Sequence, residues 1–170
     1  MKKYIVFIIA IVLTISVSAQ KENFFSLQKM KSGRIILEPN ECYFSQDGKK
    51  QGMIDPNNEY FQKVFCPIMK ECFTIKQLQH MSIKKNRVYV SFYFNSEGSI
   101  IYAKFFVKGN VLSVIDEKHF QDFYLKIRKI KLDTTQWGEI DERYLDKDDK
   151  FDFATLNMPL IQDNCNCPEE

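Results

Sequence analysis

The sequence predicts an α+β domain: a small antiparallel sheet with a central β-hairpin, packed against one or more helices and supported by disulfides. Apolar and polar residues alternate over 88–107 on both sides of a polar turn, which indicates a hairpin. After Asp116 the apolar residues recur at helical spacing, which indicates an amphipathic helix. Further strand and helix signals are interspersed along the chain, and the local antiparallel hairpin favours α+β over a parallel doubly wound sheet.

Residues 1–19 have the pattern of a secretory signal peptide. Lys2 and Lys3 form a charged start, an apolar run follows over 4–13, and small residues lead to Ala19. The run has about ten residues, whereas a membrane-spanning helix needs about twenty, which argues against the alternative of an uncleaved anchor. We therefore expect cleavage after Ala19, no stable membrane anchor afterwards, and a periplasmic or secreted protein.

Residues 20–170 are expected to form a single α+β domain, because about 150 residues bury enough surface for one core. Without the two lysines of the signal, the chain has 22 basic and 22 acidic residues. A balanced charge gives no general attraction to nucleic acid, so none is expected as a partner. Local basic clusters, such as Lys84, Lys85 and Arg87, are balanced nearby in sequence by acids and are interpreted as solvated surface.

All five cysteines follow the predicted signal peptide, and disulfides are expected in an exported protein. An odd number leaves one thiol unpaired, so five choices of that thiol, each with three pairings of the rest, remain open. We expect the C-terminal Cys-Asn-Cys to be bridged back to the domain at least once, because a free tail frays. The disulfide candidates are Cys42, Cys66, Cys72, Cys165 and Cys167.

The first third of the chain predicts one helix and two strands. Residues 21–31 predict a short helix that a Ser-Gly pair ends. Residues 34–37 and 42–44 predict strands, each followed by turn residues. The apolar residues expected on one side of the helix are Phe24, Phe25, Leu27 and Met30.

Two helices are expected next. Residues 55–58 carry a turn or helix-start signal, and 59–65 follow as one helical stretch. Pro67 suits the first turn of a second helix, which continues over 69–81 and ends at 84–86. The apolar residues of this second helix are Met69, Cys72, Phe73, Leu78 and Met81.

The hairpin is expected to have one buried and one half-exposed face. A type I turn over 95–98 joins its strands, with Gly98 at the position that takes a positive φ. The buried face comprises Val88, Val90, Phe92, Phe94, Ile101, Ala103, Phe105 and Val107. The other face mixes Ser91 and Lys104 with aromatic residues. These aromatic residues are our candidate contact surface if the N-terminal third leaves them uncovered: Tyr89, Tyr93, Tyr102 and Phe106.

The last third predicts a helix, a loop and a strand. Asp116 suits the helix N-cap, and the apolar residues recur at i, i+3, i+4 and i+7, forming one stripe that packs on the hairpin. Residues 134–149 are polar and loop-like, and 151–156 predict a final strand. The helix stripe comprises Phe120, Phe123, Tyr124 and Ile127.

The strand, turn, strand and helix between about Ser82 and Asp133 resemble the C-terminal domain of TonB and its relatives in the bacterial envelope. The resemblance implies a small antiparallel sheet with helices on one face, and partners that add a strand at the sheet edge. The chain departs from that family at Lys108-Gly109-Asn110 and after the helix, and it lacks a proline-rich spacer. It therefore resembles the family in fold, and energy transduction across an envelope is not implied.

No catalytic, cofactor-binding or metal-binding residue is predicted. A thiol nucleophile needs an imidazole beside it, and the chain has only His80 and His119 to supply one. The C-terminal cysteine pair lacks zinc-site spacing and is interpreted as structural rather than redox-active. The acidic residues over 146–152 lack EF-hand spacing, and the nucleophile-elbow, phosphate-loop and dinucleotide motifs are absent from the sequence.

Two functional hypotheses follow. The first is an exported, non-catalytic module of the bacterial envelope that binds another protein or a peptide through a sheet edge or an exposed aromatic patch. The second is a small secreted hydrolase with an unrecognised thiol or carboxylate site. The first is preferred because the aromatic hairpin is present and the catalytic motifs are missing.

Overall fold

The computed structural model of the chain describes residues 23–40, 49–141 and 152–161. The predicted signal peptide and the strand predicted over 42–44 lie outside these residues. No helix in the described ranges is long and apolar enough to cross a membrane. The described elements are β1 Phe25–Lys29, β2 Ile35–Pro39, β3 Gln51–Pro56, α1 Asn58–Cys72, α2 Ile75–Ser82, β4 Val88–Phe94, β5 Ile100–Val107, α3 Glu117–Ile127, β6 Gly138–Ile140 and β7 Phe153–Pro159.

The described strands form one seven-stranded sheet in the order β1-β2-β5-β4-β7-β3-β6. The predicted hairpin, β4 and β5, lies near its middle, so the α+β class and the central hairpin are confirmed. The sheet is larger than expected and mixed rather than purely antiparallel, because β3 and β7 pair in parallel. Parallel neighbours need a long connection, and here all three described helices lie between the two strands in the chain.

The helices pack on one face of the sheet. Phe65 of α1 stacks on Phe92 with ring centroids 4.7 Å apart, and Phe120 of α3 meets Phe105 edge-on at 5.5 Å. The predicted buried face of the hairpin and the predicted apolar stripe of α3 are thereby confirmed as parts of one core, except at Ile101. Aromatic pairs of this kind add about 0.5–1.5 kcal/mol each to the free energy of burial.

Ile101 lies on the face opposite to the one predicted. The β4–β5 register shifts between Tyr93 and Phe94, so Phe94 pairs with Ile100 whereas Tyr93 pairs with Tyr102. Ile100 therefore enters the main core, and Ile101 packs against a second cluster on the other face. Strict alternation fails here because a β-bulge inserts one residue into one strand.

The helix predicted over 21–31 is wrong, because Phe25–Lys29 form β1 and pair antiparallel with β2. Gly33, at a φ of 77°, lies in the turn between these strands. Phe25 is buried against Phe105, with ring centroids 5.8 Å apart. This burial and the ladder hydrogen bonds to β2 override the weak helical pattern.

The boundary predicted at Pro67 is also wrong, because α1 runs through it to Cys72. Asn57 caps the start of α1, and its buried residues continue at helical spacing on both sides of the proline. The separation between α1 and α2 comes later, where the Thr74 side chain and Gln77 form a capping box. The helix start predicted at 55–58 is confirmed, and the single helix over 69–81 is instead two.

The elements after the hairpin agree more closely with those predicted from the sequence. Asp116 caps α3 by accepting a hydrogen bond of 2.8 Å from the Lys118 N–H, and the four predicted stripe residues are buried. The final strand is confirmed as β7, which lies beside β4. Within the stretch predicted as loop, Trp137 is buried and β6 follows it.

Candidate functional site

The aromatic residues predicted as a contact surface lie together on the face of the sheet opposite the helices, which we call the open face only because it lies away from the described helices. Tyr93 and Tyr102 are buried at 8% and 2% exposure and form a small cluster with Phe153. Tyr89 is 37% exposed, and its strand neighbour Phe106 is half-buried. The part of the predicted surface that reaches solvent is therefore the pair Tyr89 and Phe106.

A polar network crosses the open face next to this cluster. The Tyr102 hydroxyl donates to Glu38 Oε1 at 2.6 Å, and Lys104 Nζ lies 2.8 Å from the same oxygen. Partial burial by itself raises the pKa of Glu38, but the hydrogen bonds from Lys104 and Tyr102 and the charge of Lys104 hold that pKa below its ordinary value. Burial, together with Glu38, raises the pKa of Tyr102. The group is thus a fixed ion pair with a neutral phenol, which ties β2 to β5.

The cysteines and histidines of the described ranges do not come together as a thiol–imidazole pair. His119 Nδ1 lies 2.8 Å from the backbone oxygen of Cys72, so the ring donates to the main chain. His80 Nε2 accepts from the Asn86 side-chain amide at 3.2 Å. Burial, ahead of the opposing charge of Lys126, raises the pKa of the Cys72 thiol, which disfavours the nucleophilic thiolate.

No disulfide is present among the described residues, which include Cys66 and Cys72. Cys42, Cys165 and Cys167 lie outside the described ranges, so the disulfide support of the domain stays a prediction. Within those ranges, no group of three or more His, Cys, Asp or Glu side chains is placed to hold a metal ion.

A small cavity lies between α1 and the sheet. Its volume is about 10 Å³, room for about one water molecule. Its lining is largely apolar, with residues from α1, β4 and the end of β7. A cavity of this size is a packing gap and does not hold an organic substrate.

β1 is an outermost strand of the described sheet, so one of its edges has no neighbouring strand there. The Asn40 N–H donates to Phe24 O and the Met30 N–H donates to Arg34 O, each at 2.9 Å. Because hydrogen-bonded pairs alternate along an antiparallel ladder, every second residue of β1 between them also bonds to β2. The remaining residues of β1 are Phe25, Leu27 and Lys29, and their N–H and C=O groups point away from the sheet. We call these outward backbone groups the β1 edge.

No described segment pairs with the β1 edge, since β1 is the outermost strand of the sheet on this side. Apolar side chains accompany the open backbone, because Leu27 is 47% exposed and Met30 is 43% exposed. Phe25, fully buried, anchors the strand. The opposite edge strand, β6, has only three residues and offers a much shorter platform. The sequence does not indicate this site, because its apolar spacing predicts a helix over 21–31 and a helix has no free strand edge.

Comparisons with known proteins establish the fold alone. No protein-family model and no curated protein matches the chain. The crystal structure of a DUF5043 family protein from Bacteroides uniformis matches with a TM-score of 0.51, covering 79% of this chain and 84% of that chain, at 10% sequence identity. The chain therefore shares an architecture with that bacterial protein. The resemblance to the TonB C-terminal domain finds no match here and stays a prediction.

Proposed function

We propose that the protein is an exported, non-catalytic module of the bacterial envelope that binds an extended segment of another protein. The binding site is the β1 edge, where the segment adds an eighth strand beside the seven that are described. The observation that supports this proposal is the row of outward N–H and C=O groups at Phe25, Leu27 and Lys29, with no partner among the described residues. Export rests on the signal peptide predicted over residues 1–19.

The β1 edge has the chemistry that strand addition requires. A paired hydrogen bond contributes about 0.5–1.5 kcal/mol net, so a few ladder bonds give modest affinity that is independent of the partner's sequence. Selectivity then comes from side chains, and Leu27 and Met30 provide an exposed apolar contact beside the ladder. The β1 strand is itself held firmly, because Phe25 is buried and β2 covers its inner side.

The edge is a better candidate than the aromatic patch of the open face. Tyr93 and Tyr102 are already buried within the protein, which leaves Tyr89 and Phe106 as a surface of only two rings. The alternative of a small secreted hydrolase gains no support from the described residues, where the Cys72 thiol is buried and Glu38 is engaged by Lys104 and Tyr102.

Photo-crosslinking in the native cells tests the proposal. A photoreactive amino acid replaces Leu27, and a matched variant carries it at Val114, which is similarly exposed at 51% but lies outside the sheet. We expect a protein partner to be captured from position 27 and not from position 114. A failure to capture any partner from position 27 would lead us to abandon the proposed function.

Proline substitutions distinguish the outward N–H groups of the β1 edge from the N–H groups that bond to β2. Leu27→Pro removes an outward N–H, whereas Gln28→Pro removes an N–H that bonds to β2. We expect Leu27→Pro to abolish capture from a photoreactive group at Met30 while the thermal unfolding midpoint changes little. Gln28→Pro serves as the destabilised control, since it breaks the β1–β2 ladder.

A further inference from the structure

Four neighbouring strands place a basic residue at the same end of the sheet. Lys29 ends β1, and Arg34 precedes β2 and bonds to Met30. Ile35 pairs with Val107, so Arg34 is level with Lys108, whose N–H donates to Arg87 O at 3.0 Å. With strands about 4.8 Å apart, the row spans about 15 Å. We call it the cation row: Lys29, Arg34, Lys108 and Arg87.

Among the described residues, the cation row is a local excess of positive charge. Lys31, Lys84 and Lys85 flank it, and the segments 29–35, 83–88 and 107–110 contain no acidic residue. Arg87 has a further interaction, but the six other basic side chains have no ion pair within the described ranges. The interpretation of 84–87 as locally balanced was therefore incomplete, because the fold adds charges from distant strands.

The row and the β1 edge meet at Lys29. β1 runs toward the row and ends in it at Lys29, which contributes both an outward backbone pair and a cation. A strand that pairs with the β1 edge must therefore pass the row or end on it. Acidic side chains at that point would meet several cations at once, whereas basic ones would be repelled.

We propose, on the basis of the function proposed above, that the partner segment is acidic next to its strand and that its acidic residues lie on the cation row. Antiparallel pairing has the stronger ladder, and it places these acids immediately before the strand of the partner. The β1 edge supplies backbone pairing, Leu27 supplies the apolar contact, and the row selects for acidic segments. An anionic membrane would satisfy the charges but leave the outward N–H groups of β1 without carbonyl partners, so an acidic polypeptide fits better.

Fluorescence anisotropy with two labelled peptides tests the inference on the mature protein. The acidic peptide is Glu-Asp-Glu followed by five alternating Thr and Val residues, and the neutral peptide replaces the acids by Gln-Asn-Gln. We expect the acidic peptide to bind about tenfold more tightly, with a preference that weakens as salt is raised. Equal affinities would overturn the inference and leave the proposed function standing, whereas no binding of either peptide would count against both.

Charge variants test whether the cation row causes the preference for the acidic peptide. The triple variant Lys29→Gln, Arg34→Gln and Lys108→Gln should lose the preference for the acidic peptide. The matched control Lys63→Gln, Lys70→Gln and Lys129→Gln removes the same charge from exposed helical and post-helical positions and should keep the preference. An equal loss in both variants would contradict the cation row.

Vesicles distinguish the membrane alternative. We expect vesicles of phosphatidylcholine with phosphatidylglycerol to compete weakly with the acidic peptide. If those vesicles bound the protein through the same three cations while the peptides bound equally, the row would be a membrane contact and the inference would fail. All three substituted side chains are exposed, so the variants should fold, and unchanged unfolding midpoints verify this.

Discussion

Tyr102 donates a 2.6 Å hydrogen bond to Glu38 and thereby connects β5 to β2 across the open face. Lys104 reaches the same carboxylate oxygen, so one acidic residue joins two side chains of the neighbouring strand. β2 in turn holds β1, which carries the proposed binding edge. The network therefore supports the platform on which the partner would dock.

Glu38 should make stability depend on acid pH. Its pKa is lowered in the folded protein, so its contribution is present above the unfolded pKa of 4.5 and is lost as the pH falls through the folded value. We expect Glu38→Gln to be less stable than the wild type near neutral pH, by about 1 kcal/mol. The difference should shrink on acidification to about pH 3, measured by urea unfolding. A difference that is constant with pH would contradict the ionic role of Glu38.

Gly98 should tolerate no side chain. Its φ is 88°, and a Cβ built there would lie 2.2 Å from the Leu132 backbone oxygen. Gly33 has a similar φ of 77°, but a Cβ built there would have no heavy atom within 4 Å. Gly33 is therefore a matched control for backbone strain alone. We expect Gly98→Ala to lower the free energy of unfolding by about 3 kcal/mol or more, and Gly33→Ala by about 1 kcal/mol. Equal effects in chemical denaturation would contradict the close approach of Gly98 to the Leu132 backbone.

Cys72 should react slowly with alkylating reagents in the native protein. Its thiol is buried and its pKa is raised, so little thiolate forms at about pH 8. We expect iodoacetamide to modify Cys72 much faster after denaturation, as followed by peptide mass spectrometry. Rapid native modification at Cys72 would instead revive the hypothesis of a thiol enzyme.

Export should remove the first nineteen residues. We expect the mature protein, isolated from periplasm or medium, to begin at Gln20, because small residues precede that bond and the apolar run is short. Intact-mass measurement checks this directly. The same measurement with and without reductant and alkylation counts the disulfides. A full-length protein in the membrane fraction would contradict the signal-peptide interpretation.

The sequence predicted the elements whose pattern is local. The hairpin and α3 follow from alternation and from the spacing of Phe120, Phe123 and Ile127, because each pattern lies within about twenty residues. β1 has no such local signal, because its state depends on pairing with β2 and on burial of Phe25 against Phe105, which is eighty residues away in the chain. The bulge at Ile101 has no signal in an alternating pattern.

The candidate site was harder to predict than the fold. A sheet edge exists only once the strand order is known, and the cation row joins residues from four strand ends. The predicted surface of three tyrosines and one phenylalanine depends on alternation, which indicates a shared face but not whether other parts of the chain bury it. Tyr102, at 2% exposure, illustrates that limit.

Amide hydrogen exchange at the β1 edge, resolved by NMR, tests the central claim most directly. In the free protein the outward amides of Leu27 and Lys29 should exchange rapidly, while those of Ser26, Gln28 and Met30 are protected by β2. With a saturating concentration of the acidic strand peptide, we predict that Leu27 and Lys29 also become protected. Unchanged exchange at these two amides would contradict strand addition at the β1 edge.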